Sequence, residues 1–191
     1  MRKTIIALLA VLTLAACSSI PIGTVARLRA LDYLNDDLAS LLVAFDVPLS
    51  LEPIPNASAL NFDIATPSSG ERHIRAMLAE TDPGDLAGTL QPPADGRNYY
   101  LFGFSPADKA AIREAQAWAK TLPPGANTVT LSLSPDFCRT AQIDPAKVTV
   151  SVLVALPGTP NLAPLISNQP LKTLLATAPA KDIPSCAGHS G

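Results

Sequence analysis

The sequence predicts a mainly β fold, an immunoglobulin-like β-sandwich with one crossover helix at about residues 106–122. Three observations point there. Apolar and polar residues alternate at period two in several short runs. Nineteen prolines among 191 residues cut the chain into pieces too short for long helices. A single long stretch, around the only tryptophan, repeats its apolar positions at helical spacing. Several strands separated by turn signals, crossed by one helix, fit two packed sheets. The hallmarks of a true immunoglobulin domain are missing, because Trp118 lies in the helical stretch and no cysteine pair flanks it.

Each element follows from its local pattern. Thr24 to Leu34 has Val25, Leu28, Leu31 and Leu34 at every third position, which fits a short helix or an irregular approach. Leu41, Val43, Phe45 and Val47 then share one face of a strand that Pro48 closes. Leu60, Phe62 and Ile64 oppose Asn61 and Asp63, and Ile74, Ala76 and Leu78 alternate with His73, Arg75 and Met77. Turn chemistry at Thr66-Pro67-Ser68-Ser69-Gly70 joins these two as a hairpin with a long loop. Tyr99 to Phe104 is an aromatic strand that follows the turn at Pro92 to Gly96.

The helix has clear punctuation. Ser105 is its N-cap, Pro106 suits the first position, and Asp108 faces the positive end of the helix. Ala111, Ile112, Ala115, Trp118, Ala119 and Leu122 form the apolar face, and Pro123-Pro124-Gly125 stops it. Val129, Leu131 and Leu133 alternate with Thr and Ser, and Val148 to Val154 repeats the pattern. Leu162 to Leu175 reads as short packed pieces between prolines, and Ala176 to Gly191 as a tail.

The N-terminus carries the most specific motif. Arg2 and Lys3 precede the apolar run Thr4 to Leu14, a secretory signal too short to span a bilayer. Leu14-Ala15-Ala16-Cys17 follows at once, and it resembles the lipobox of bacterial lipoproteins. That resemblance implies diacylglyceryl on the Cys17 sulfur, cleavage before Cys17, and an acyl chain such as palmitate on its new amino group. It divides the chain into a signal peptide at 1–16, a lipidated tether at 17–23 and a single domain at 24–191. Ser18 beside the lipidated cysteine implies sorting to the outer membrane, with the domain in the periplasm. The remainder is similar to a family of uncharacterised exported lipoproteins.

Cleavage leaves 175 residues, which bury about 70% of their unfolded surface and need no metal or cofactor to fold. The leader removes Arg2 and Lys3 and no acid, so 12 basic residues face 16 acidic ones, a net charge of −4. The scattered charge argues against nucleic acid, and against anionic lipid as the main contact. The membrane partner is then reached through the lipid itself, since two or more acyl chains anchor stably. With Cys17 acylated, Cys138 and Cys186 remain, and an exported even pair is most simply a disulfide. The rival, free thiols for redox or metal chemistry, finds no Cys-x-x-Cys spacing.

Chemistry is scarce elsewhere, and no catalytic, cofactor-binding or metal-binding residue is expected. No Gly-x-Ser-x-Gly elbow or glycine-rich phosphate loop occurs. His189 sits beside the C-terminus, and His73 lies on the polar side of its strand near Arg72 and Arg75. Two distant histidines make no zinc set. Asp32, Asn35, Asp36 and Asp37 lack calcium-loop spacing and read as a solvated turn, and Asp82, Asp85 and Asp95 as loop acids. Tyr99, Tyr100, Phe102 and Phe104 alternate across the strand, with core packing against Trp118 preferred to an exposed stacking patch. The expected function is a non-enzymatic binding or assembly module for another envelope protein or polymer. The alternatives are an envelope hydrolase using His73 or carboxylates, and a small-ligand carrier with an apolar cavity.

Overall fold

The computed structural model describes residues 31–54, 56–66, 70–82, 84, 92–122, 128–159, 161–175 and 182–188. Expectations that fall on the signal peptide, Cys17, Ser18, Asp85 and His189 lie outside the described residues. The first strands are β1 (Leu42–Pro48), β2 (Leu51–Pro53), β3 (Ala59–Thr66), β4 (Gly70–Glu80) and β5 (Arg97–Phe104). Helix α1 (Pro106–Lys120) leads to β6 (Thr128–Ser134), β7 (Phe137–Arg139) and β8 (Thr149–Ala155). The chain continues through β9 (Ala163–Pro170) into the single-turn helix α2 (Leu171–Leu175).

The mainly β expectation holds, and the helix occupies its predicted place. The strand arrangement is a curled antiparallel sheet. Seven strands are hydrogen-bonded in the order β6-β3-β4-β5-β1-β8-β9, with β2 and β7 paired in a separate ribbon. An immunoglobulin-like pair of sheets is not what this order draws, and β4 is the reason. It pairs with β3 from Gly70 to Met77, then with β5 through Leu78, Ala79 and Glu80. One continuous strand therefore carries the hydrogen-bond ladder from β3 to β5. Where β3 pairing ends, the Leu78 amide donates to the Ser58 carbonyl and the Asn56 amide to the Leu78 carbonyl. The long loop expected between β3 and β4 is short, because pairing runs to Thr66 and Gly70, whose φ of +85° suits glycine.

The inner face of the curl holds the core. Phe45, Phe102 and Phe137 are fully buried, and Phe45 meets the other two edge-on at 5.6 and 5.4 Å between ring centroids. Phe62 of β3 meets Phe104 of β5 at 6.1 Å, across the intervening β4. Burial of each such ring contributes about 1.5–3 kcal/mol. Trp118 does not join these aromatics, contrary to expectation. It is half-buried in a smaller cluster with Ile64, Ala115, Ala119 and Val129, and its ring stacks under the Arg72 guanidinium at 4.4 Å. By parity Tyr100, Phe102 and Phe104 share the inner face, leaving Tyr99 on the other.

Helix α1 covers the β3-β4-β6 wing. The Ser105 hydroxyl oxygen accepts from the Asp108 amide at 3.1 Å, the expected cap. Ile112, Ala115 and Ala119 are buried as predicted, while Ala111 is exposed. Gln116 is buried unexpectedly. Its Nε2 donates to the Tyr33 and Asp36 carbonyls at 2.9 and 2.8 Å, holding the chain before β1 onto the helix. The Asp32–Asp37 segment closes on itself as a turn, with Asp32 Oδ1 accepting from the Leu34 and Asn35 amides. Asp37 makes a two-pronged ion pair with Arg113 of α1, and that contact lowers the Asp37 pKa.

The opposite wing is covered by the β2–β7 ribbon and α2, through Leu51, Phe137 and Leu171, all fully buried. The Cys138–Cys186 disulfide joins β7 to the C-terminal segment, as expected. Arg139 reinforces it, its amide donating to the Pro184 carbonyl and its Nε to the Ile183 carbonyl.

Candidate functional site

The outer face of β6-β3-β4 is a polar surface built by strand alternation. Thr130, Asp63 and His73 stand in one row across it, and Ser132, Asn61 and Arg75 in the next. The Asn61 amide donates to Ser132 Oγ at 3.4 Å and to Ser134 Oγ at 3.0 Å. His73 lies on the polar side as predicted, with its side chain 67% exposed. Its Nδ1 is 2.7 Å from Asp63 Oδ1 and its Nε2 3.4 Å from Glu71 Oε2. The hydrogen bond to Asp63 raises the His73 pKa above 6.5, and the charges of Asp63 and Glu71 act the same way. Neighbouring Arg72 belongs to the opposite face, over Trp118.

Chemically, this gives His73 the acidic partner that hydrolysis asks for, yet it directs both ring nitrogens at carboxylates. A ring nitrogen occupied by a carboxylate is not free to take a hydroxyl proton. Among the described residues no Ser or Thr hydroxyl is hydrogen-bonded to His73. The face is an open surface for polar contact.

A second grouping was not legible in the sequence. Arg75, Ser134, Asp136, Leu175, Asp182 and Ile183 border an open cleft of about 230 Å³. Leu175, Asp182 and Ile183 also border a neighbouring groove of about 340 Å³ with Arg139 and Gln142. These residues come from strands, a loop, α2 and the C-terminal segment, and no local spacing signals them. Between α1 and the sheet, by contrast, the apolar space lined by Leu38, Phe62 and Ile112 is only about 10 Å³. That is room for about one water, far below a ligand cavity.

Glu52, Cys138 and Cys186 each place a ligand-type atom within 4.8 Å of the others. The two sulfurs are joined to each other, so the cysteines act as a staple in the oxidised protein. The half-buried ion pair of Asp46 and Arg97 was also unforeseen, since the two are far apart in sequence. Arg97 Nε donates to Asp46 Oδ1 at 2.6 Å, and Nη2 donates to the Asp46 and Thr149 carbonyls. It ties β5 to β1 and β8 on the outer face. Tyr99 and Tyr100 are both half-buried, and burial is the main cause of their raised pKa values.

The prokaryotic membrane lipoprotein lipid attachment site matches residues 1–18, which include Cys17 and Ser18. No curated protein and no solved structure matches the chain. Among the described residues no helix is long and apolar enough to cross a membrane.

Proposed function

We propose that this protein is a membrane-anchored envelope lipoprotein whose domain acts as a non-enzymatic binding or assembly module. The observation that carries the anchored part of this reading is the lipid attachment site at residues 1–18. Two or more acyl chains on Cys17 bind a bilayer stably, where one chain would be marginal. In this reading Ser18 directs the chain to the outer membrane, with the domain in the periplasm. The polar face around Asn61, Asp63 and His73 offers donors and acceptors for another envelope protein or polymer.

The reading is tested by crosslinking in intact cells followed by purification of the lipidated chain. Recovery of one recurrent envelope partner supports it, and loss of that partner on mutating the Asp63–His73 face locates the contact. Cys17→Ala should move the protein from the membrane to the soluble fraction. Unchanged fractionation would refute the anchor. The envelope-hydrolase reading has one observation in its favour, the 2.7 Å Asp63–His73 contact. It requires activity on a wall or ester substrate that His73→Ala abolishes.

A further inference from the structure

The sheet ends in two strands whose exposed edges are built differently. At one end, β9 contains Pro164 and Pro170, and its register with β8 shifts twice. Asn168 there has a φ of +48°, and its amide is satisfied by Ser151 Oγ at 3.0 Å. Proline, bulges and a left-handed residue stop another strand from adding to that edge. At the other end, β6 reads Thr-Val-Thr-Leu-Ser-Leu-Ser over seven residues, with no proline and no charge. Among the described residues it pairs with β3 on one side only, in unbroken register from Ala59 to Ala65. None of the usual devices for blunting an edge is present in β6.

We infer that β6 is the seam of a homodimer, pairing antiparallel with β6 of a second copy across a two-fold axis at Leu131. The strand is its own complement in that register, which pairs all seven residues. Val129 of one copy meets Leu133 of the other, Thr130 meets Ser132, and Leu131 meets itself. Apolar faces apolar and hydroxyl faces hydroxyl, and the strand brings no like charges together. A shift by one residue would set the apolar side of one copy against the polar side of the other. Val129, Leu131 and Leu133 are only partly buried, whereas Leu60, Phe62 and Ile64, their neighbours on β3, are buried. A second β6 covers those three, and a two-fold contact closes the assembly at two copies. The inference goes beyond the proposed binding role and stands without it.

Sedimentation of the full lipid-bearing chain in detergent tests this. The wild type is expected to run as a dimer. Thr130→Lys with Ser132→Lys, both exposed positions, sets lysines against lysines on either side of the two-fold axis. That chain should be monomeric, its self-association at least about tenfold weaker, as like charges set directly opposite destabilise a strand pair. Thr130→Lys with Ser132→Glu sets unlike charges at the same places and should restore the dimer. Thermal melting verifies each fold; were the double-lysine chain to unfold, Thr130→Arg with Ser132→Arg reads the same contact. A wild-type monomer, a double-lysine dimer as tight as wild type, or a Lys/Glu chain that stays monomeric would each overturn the seam.

Discussion

The two wings of the curled sheet are closed by opposite means. Over β3, β4 and β6 the inner face is covered by α1, whose cap, first turn and apolar stripe are contiguous in the sequence. Over β1 and β8 it is covered by pieces from three places. The β2–β7 ribbon and α2 lie on the core, and the Cys186 segment is bonded to the ribbon. The helical wing depends on local propensity and one amphipathic face. The ribbon wing depends on contacts between distant residues, and a covalent bond helps to hold them. Closure by remote pieces carries a larger loop-entropy cost, which is where a disulfide acts most strongly.

This contrast predicts a graded series of effects. Phe137→Ala removes the ring that the ribbon lays against Phe45 and should cost about 3–5 kcal/mol in denaturant unfolding. Cys138→Ser with Cys186→Ser opens a link spanning 48 residues and should cost about 4 kcal/mol in the loop-entropy picture. Hydrogen exchange would locate that loss, with the ribbon opening before α1. Equal loosening of both wings would erase the distinction. Ser105→Ala, which removes the cap of α1, should cost only about 1 kcal/mol and fray the first helical turn.

The smallest effect concerns protonation on the outer face of the helical wing. The folded protein holds the His73 proton more tightly than an unfolded chain does, because Asp63 and Glu71 favour imidazolium. The resulting stabilisation is complete below the ordinary histidine value and is lost as pH rises through the raised one. Asp63→Asn should return the His73 titration toward its ordinary value, read by NMR of the ring protons. The variant should also lose less stability than the wild type on going from mildly acidic to mildly alkaline pH. A titration unmoved by Asp63→Asn would detach His73 from Asp63 and leave this face without a charge device.

Legibility followed the same division. The patterns at Leu41–Val47, Leu60–Ile64, Val129–Leu133 and Val148–Val154 mark β1, β3, β6 and β8 to within a residue or two, because side-chain alternation is local. Ribbon strands β2 and β7 have three residues each, too few to show a period. The proline-bearing β9 was read as fragments, because its bulges break the alternation. On the candidate face, the polar parity of His73 was readable, but its pairing with Asp63 depended on the β3–β4 register. Burial of Gln116 could not be read from a helix face, since the carbonyls it serves come from residues 33 and 36.

By itself the sequence determined the lipid attachment signal, the elements with a sustained period, the cap of α1 and the two cysteines left to pair. Each is a property of neighbours along the chain, decided by alternation, helix geometry or residue spacing. Tertiary structure alone decided that β4 passes from β3 to β5, so that seven strands join in one sheet. It also decided which edge is capped by proline and bulges, and which is left with a clean, self-complementary strand. Those outcomes depend on which strands meet and in what register, and that choice is made by packing among residues far apart in the chain.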